Sequence, residues 1–429
     1  MRYSAINPAL FRLNRDRLRA LLPPNSLVVV NANDVPPTNA DGSLKLVPNS
    51  DLFYLTGIEQ EESILLIYPD ADDEKHREVL FLREAKPELE QWEGHKVTKD
   101  EAKAIGGVER VHWLGDFPRL FHRLMCQCDH VFLNSNEHPR AVVDVQTREA
   151  RFVADVIRRY PLHEYHRLGR LMHFLRVVKS SEELKLIEAA CAITKAGFER
   201  VARFTKPGVT ETEIEAEFAH EFIRRGGQFA YTPIIASGKN SCVLHYITND
   251  QPCRAGDVLL LDVAASYGNY NSDLTRTIPV DGKFTKRQRQ VYDAVLRVMR
   301  AQTQGLTVGK RWKQWQKEAE ANIEMELIDL GLLKAGAVKR QKKDEPLLKK
   351  YFMHGVGHPI GLDVHDYGMM TESFAPGWVM TVEPGIYIPD EGFAVRLENT
   401  VLITETGVRD LMADIPVEAD EIEKLMARR

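Results

Sequence analysis

Cysteine is scarce in this chain. There are five in 429 residues, at positions 126, 128, 191, 242 and 253. An odd number at scattered spacing in a long chain fits reduced thiols better than a disulfide framework. Cys126-x-Cys128 stands too isolated to argue for a zinc site. Long apolar runs are also missing. No stretch approaches the ~18 consecutive apolar residues of a membrane span, and residues 1–22 mix Arg, Asn and Asp with apolar residues instead of forming the apolar core of a signal peptide. The expectation is a cytoplasmic protein. Basic excess is absent as well: 57 Lys and Arg against 62 Asp and Glu give a net charge of −5. That argues against a nucleic-acid or acidic-membrane partner, which selects for a basic field. The one basic run, Lys339-Arg340-Gln341-Lys342-Lys343, is followed at once by Asp344 and Glu345 and reads as a solvated loop. What remains, 44% hydrophobic and 28% charged, is an ordinary soluble composition long enough for two or three domains.

The hydrophobic pattern divides the chain near residue 175. Residues 1–175 read as an α/β domain with a mixed or partly parallel sheet. Helical spacing covers Asn14 to Leu22, Asp116 to Met125 and Val142 to Arg159; strands are expected at Leu27 to Val30, Leu52 to Leu55, Ile64 to Tyr68, Val79 to Leu82 and Val131 to Leu133. Gln91-Trp92-Glu93-Gly94 reads as a loop in which Trp92 either makes a contact or packs. Residues 176–429 open with two capping boxes, Ser180 with Glu183 and Thr210 with Glu213. Each starts a helix, to about Phe204 and to Arg225. Strands are expected at Ile234-Ile235, Val243 to Tyr246, Val258 to Val263 and Asp273 to Val280. Helices follow over Lys286 to Gln304 and Arg311 to Leu330, then strands around 351–366, 378–388 and 394–404. Helices then strands, twice over, predict a pseudo-symmetric domain with one curved antiparallel sheet and helices on its outside.

The chemistry concentrates in this second domain. His354-Gly-Val-Gly-His358-Pro-Ile-Gly-Leu-Asp-Val-His365-Asp366 holds three of the chain's 14 histidines among three glycines and a proline. Such a stretch is a poor helix and brings backbone and imidazoles close to something small. Asp262, Asp273, Glu383 and Glu398 each sit among β-formers. A buried unpaired carboxylate is costly and needs a cation or a proton. Arg276 and Arg396 are the main nearby positive charges, too few for four carboxylates, so a pair of divalent metals is the economical solution. Carboxylates with an imidazole suit Mn²⁺, Co²⁺, Zn²⁺ or Fe²⁺, and carboxylates bridge two ions about 3.5–4 Å apart in two-metal hydrolases.

These residues resemble the pita-bread metallopeptidases, and among them the aminopeptidase P (Xaa-Pro aminopeptidase) family. The resemblance runs through Asp262, Asp273-Leu-Thr-Arg-Thr277, His354 to Asp366, Val382-Glu-Pro-Gly-Ile-Tyr387 and Arg396-Leu-Glu398. It extends forward to Leu22-Pro-Pro-Asn-Ser26, Asp51-Leu-Phe-Tyr-Leu-Thr-Gly57 and Gln91 to Gly94. It implies an α/β amino-terminal domain over 1–175 and a pita-bread catalytic domain over 176–429. It implies Asp262, Asp273, His358, Glu383 and Glu398 as metal ligands, with two divalent ions, Mn²⁺ first. His245, His354 and His365 fall on the family's auxiliary histidines. Departures are Ala264 where Gly is usual, Asn399 after Glu398 where an acid is common, a segment 43–49 without the usual aromatic and basic residues, and a compact interval from Glu383 to Glu398.

The implied reaction removes the first residue from peptides with proline second, through a hydroxide held by two metals. Glu383 would shuttle the proton to the proline nitrogen, and His245 and His365 would stabilise the oxyanion. His354 would line the proline pocket, support the other histidines, or simply pack. Tyr387 would orient carboxylates or pack. Arg396 would orient them or serve only as an ion-pair partner. Tyr231 would line the pocket for the first residue or fill the core. Trp92 would reach a neighbouring subunit's active site, in a homodimer or homotetramer. Two alternatives compete: a prolidase limited to Xaa-Pro dipeptides, and an inactive pita-bread binding module.

Overall fold

The computed structural model describes residues 2–84, 86–138, 140–141, 144–342 and 344–427. Its contacts divide the chain into two compact units, Ser4–Arg176, and Met1–Tyr3 with Val177–Arg429.

The first unit is built on a six-stranded sheet. Ser26–Asn31 lies near its centre, antiparallel to Ile64–Ile67 and parallel to His130–Leu133. Glu78–Leu82 and Val111–Trp113 extend one side, and Glu164–Arg167 forms the other edge. The sheet is mixed, as the alternation of elements predicts. Its central strands read Leu-Val-Val-Val and Ile-Leu-Leu-Ile because both faces are covered.

Three local expectations need correction in this unit, and two short strands were not expected. Leu52 to Leu55 is not a strand but lies in the helix Ser50–Thr56. Asn49 caps it through hydrogen bonds from the N–H groups of Asp51 and Leu52, and Gly57 ends it at φ 68°. The helix is buried on every side, so no amphipathic period shows in its sequence. Gln91-Trp92-Glu93 is the last turn of the helix Pro87–Glu93 rather than a loop. The expected start at Val142 lies outside the described residues; the helix itself is Arg148–Arg159, capped by Thr147. The short strands at 111–113 and 164–167 escape the pattern because three or four residues are too few to show alternation.

The second unit begins with the helices Ser181–Phe204 and Glu211–Arg224, both opened by the expected capping boxes. The helices Lys286–Gly305 and Trp312–Asp329 follow later in the chain. The strands are all antiparallel but form separate short ladders instead of one continuous sheet. Ile234–Ser237, Val258–Asp262 and Thr275–Pro279 make one, Val379–Val382, Asn399–Thr404 and Gly407–Asp410 a second, and Gly385–Ile388 with Phe393–Arg396 a third. Gln228–Phe229, Ala265–Tyr267 and Tyr270–Asn271 form a small fourth. A single bridge from Thr275 to Glu398 links the first ladder to the edge of the second, and one from Pro359 to Met380 ties an irregular segment to the second. Val291, Val295, Met299, Trp315, Ile323 and Leu327 from two helices pack on Met380, Val382, Val401 and Ile403 from the strands. Trp315 is fully buried, and its indole N–H donates to the carbonyl of Gln302 at 2.9 Å.

Two expected strands are absent here. Val243 to Tyr246 is a turn after a 3₁₀ segment, Gly238–Cys242. Residues 351–366 are extended but irregular. Pro359 has no N–H to give a ladder, and the N–H of His358 donates to the Thr381 hydroxyl at 3.0 Å. The segment still runs beside Val379–Val382, with N–H to O distances of 2.8 Å from Thr381 to His358 and 3.1 Å from Ile360 to Val379. Gly357 makes this approach possible, since a Cβ there would come within 2.1 Å of the Thr381 carbonyl. At the far end Asp366 pairs with Lys179 at 3.2 Å, both side chains fully buried.

Candidate metal centre

The ladders bring the acidic residues together. Thr275 lies opposite Asp262 in one antiparallel pair and bridges to Glu398 on its other side. Asp262, Thr275 and Glu398 therefore stand side by side on neighbouring strands. Asp273 precedes Thr275 by two residues, just before its strand begins. Its N–H donates to Thr400 Oγ1 at 3.0 Å. Glu383 follows directly on Val379–Val382, its N–H held by the carbonyl of Val356 at 2.8 Å. One ligand atom from each of Asp273, His358 and Glu398 lies within 4.8 Å of the others.

The electrostatics of this cluster call for positive charge. Burial, followed by the charge of Asp262, pushes the Asp273 carboxyl up to about 8. Burial and the neighbouring carboxylates raise Glu383 and Glu398 well above the usual range. One oxygen of Glu398 accepts from Thr275 Oγ1 at 2.7 Å; the other, Oε1, is buried with no hydrogen-bond partner among the described residues. Tyr231 makes the same point. Its hydroxyl lies 2.6 Å from one oxygen of Asp262 and 2.6 Å from one of Asp273. A hydroxyl has one proton to donate, so the second carboxylate needs a proton of its own or a cation. Arg396 reaches Asp262, but Arg276 does not serve the cluster. Its guanidinium donates to the carbonyls of Thr275 and Glu398 and to Asn399 Oδ1 at 2.7 Å, and Asn399 passes on to Asp410 at 2.7 Å. Asn399 is thus a neutral link between a buried arginine and an acid.

His358 is prepared as a ligand. Its Nδ1 lies 3.0 Å from the carbonyl of Pro359, which can only accept, so Nδ1 carries the hydrogen. Nε2 then presents a lone pair 3.5 Å from Asp273 and 3.7 Å from Glu383. A backbone carbonyl that fixes the tautomer in this way is the usual support of a metal-binding imidazole. A lone pair, an orphaned carboxylate oxygen and carboxyls pushed toward protonation fit divalent metal.

His354 is engaged differently. Nδ1 donates to its neighbour's carbonyl, Gly355, at 2.7 Å, so Nε2 accepts from the Tyr387 hydroxyl at 2.8 Å. Arg396 in turn donates to that hydroxyl at 2.8 Å. Burial, then the Arg396 charge, lower His354 to about 3, and it stays neutral. Of its expected roles, this geometry supports the structural one.

The remaining expected residues are more peripheral. His365 is exposed, with its ring perpendicular to that of His358 at a centroid distance of 4.3 Å. His245 is exposed on the turn after Gly238–Cys242. Trp92 belongs to the first unit and is 87% exposed. Thr275, Thr381 and Thr400 position the ligands and went unnoticed in the sequence, although Thr275 could have been found as the residue two after Asp273. Glu211 was missed too. Fully buried, it accepts from Ser237 N–H and hydroxyl, Asn240, the Tyr246 hydroxyl and Gln251 N–H at 2.7–3.3 Å, and so ties down the segment that carries His245.

Comparison with known proteins gives a consistent result. Residues 185–405 match the model of metallopeptidase family M24, and residues 11–132 match that of the aminopeptidase P N-terminal domain. The chain is 32% identical to the Xaa-Pro aminopeptidase of Escherichia coli K12, over 99% of this chain and 98% of that protein. It is similar to the solved aminopeptidase PepP of Pseudomonas aeruginosa, at TM-score 0.88 and 31% identity over 99% and 98% of the two chains. It is also similar to a zinc-substituted aminopeptidase P of E. coli in complex with product, at TM-score 0.85 and 32% identity over 99% of each chain.

Proposed function

The chain belongs to the aminopeptidase P group of the M24 metallopeptidases, and from that membership we propose that it removes the N-terminal residue from peptides with proline in second position. The observation that carries the reading is the buried Asp273, His358 and Glu398 cluster, with Asp262 and Glu383 beside it. We assign these five residues as ligands of two divalent ions, Mn²⁺ first. Bound there, the ions supply Lewis acidity and lower the pKa of water toward 7.

The chain's own residues supply the rest. Glu383 takes the proton from the attacking water and delivers it to the proline nitrogen, which must be protonated to leave as an amine. His245 and His365, both exposed, donate to the substrate carbonyl as charge develops on it. Arg396, Tyr387 and Tyr231 hold Asp262 and its neighbours in place, and His354 orients Tyr387. Residues 1–175 form the amino-terminal domain and 176–429 the catalytic one. Trp92 is exposed and available to a neighbouring copy in a homo-oligomer. The cysteines are free thiols, which supports reading the enzyme as cytoplasmic. Among the described residues no helix is long and apolar enough to cross a membrane.

A length series of Xaa-Pro-(Xaa)n peptides with Mn²⁺ tests the proposal. Tripeptides and longer substrates with proline second are expected to release their first residue, and the same peptides with alanine second are expected to remain. Turnover of the dipeptide alone would make the protein a prolidase.

A further inference from the structure

The edge of the first unit's sheet carries a second cluster of metal-ligating side chains. The strand His130–Leu133 pairs in parallel with the edge strand Glu164–Arg167, with His130 opposite Glu164 and Phe132 opposite His166. Side chains two apart on a strand share a face, so His130, Glu164 and His166 project from the same side. Their ligand atoms converge. His130 Nδ1 lies 3.1 Å from His166 Nε2 and 3.1 Å from Glu164 Oε2, and His166 Nε2 lies 3.9 Å from Glu164 Oε2. Phe132 stacks on the His166 ring, 4.8 Å between centroids at 23°, and holds that ring in its orientation.

These distances are close to those of a coordination shell. With metal–ligand bonds near 2.0–2.1 Å, neighbouring ligands of a tetrahedral zinc stand about 3.3 Å apart. The three observed edges bracket that value. Two imidazoles and a carboxylate match the donor set of zinc sites that leave a fourth position to water, and imidazole donors select Zn²⁺ or Cu²⁺ over Mg²⁺ or Ca²⁺.

We propose that His130, Glu164 and His166 bind one Zn²⁺ ion, separate from the candidate catalytic centre, and that the ion staples the four-residue edge strand to its neighbour. Glu164 is 69% exposed and His166 37%, which leaves the site open to exchange with solvent metal. The inference does not rest on the peptidase reading. A hydrogen-bonded histidine pair sharing one proton is the competing account of the same contacts, and only metal uptake separates the two.

The experiment uses the full chain, stripped with chelator, incubated with excess ZnCl₂, desalted and analysed for bound zinc. The wild type is expected to retain one equivalent more than His166→Ala or His130→Ala. Glu164→Gln, which keeps the fold of an exposed edge position, is expected to bind that equivalent at least tenfold more weakly. Hydrogen exchange of residues 164–167 should slow on adding Zn²⁺ to the wild type and stay unchanged in His166→Ala. Peptide hydrolysis by the variants should equal that of the wild type. Equal zinc content in wild type, His166→Ala and Glu164→Gln would overturn the proposal, as would zinc uptake that leaves exchange at 164–167 unaltered.

Discussion

His354 and His358 are the same side chain four residues apart, and the structure gives them opposite work. Each donates its Nδ1–H to a backbone carbonyl, of Gly355 and of Pro359. The difference lies at Nε2. In His354 it accepts from Tyr387, and in His358 it faces two carboxylates. One imidazole is therefore closed by a hydroxyl and the other is open to a cation. Tyr387 is the residue to test. Its hydroxyl connects the neutral His354 to Arg396, which holds Asp262. Tyr387→Phe keeps the ring and removes that link, so kcat/KM on a proline-second tripeptide is expected to fall by about 10–100-fold, the usual effect of losing a group that orients metal ligands. Full activity in the phenylalanine variant would show that the link is not needed.

Among elements, the contact between the helix Arg148–Arg159 and the strand Ser26–Asn31 shows how one buried carboxyl joins two pieces of structure. Glu149, in the first turn of the helix, accepts from the N–H and the side-chain amide of Asn31, both at 3.0 Å. It is 6% exposed, and burial raises its carboxyl to about 7 from 4.5 despite those two hydrogen bonds. The raised value fixes the sign of a pH effect. Below 4.5 the group is protonated folded or unfolded. Between 4.5 and 7 the unfolded chain loses the proton while the folded chain keeps it, so stability falls as pH rises through this window, by roughly 3 kcal/mol for a shift of this size. Glu149→Gln cannot titrate. Urea unfolding should therefore find the variant gaining on the wild type by about that amount between pH 5 and pH 8. A constant difference across the two pH values would refute the assignment.

At the scale of the molecule, the second unit places several carboxyls in one buried region among ladders too short to stand alone. Their mutual repulsion and desolvation oppose folding unless a cation is present. Metal should thus act as a ligand of the folded state, adding about 2.7 kcal/mol at a hundredfold excess over its dissociation constant. Chelation is expected to lower the temperature of thermal unfolding, and added Mn²⁺ to restore it together with activity. An unfolding temperature indifferent to chelator and metal would contradict the ligand assignment.

The sequence alone marked the acids that the fold brings together. Acids at 262, 273, 383 and 398 stand out because each interrupts β-formers, where a charge is expensive and needs a reason. The capping boxes at Ser180 and Thr210 marked their helices because a cap is a local interaction written in four residues. The tertiary structure decided what depends on neighbours distant in the chain. Ser50–Thr56 is a helix because it is enclosed on all sides, which erases the periodic signal. Residues 351–366 read as strand but follow Val379–Val382 with broken pairing, because Pro359 lacks a donor and Thr381 supplies a hydroxyl in place of a carbonyl. The division of labour between His354 and His358, and the placing of Thr275 between Asp262 and Glu398, were likewise settled only by folding. Hydrogen-bond partners more than a hundred residues away are chosen by strand register and packing, and no local pattern encodes them.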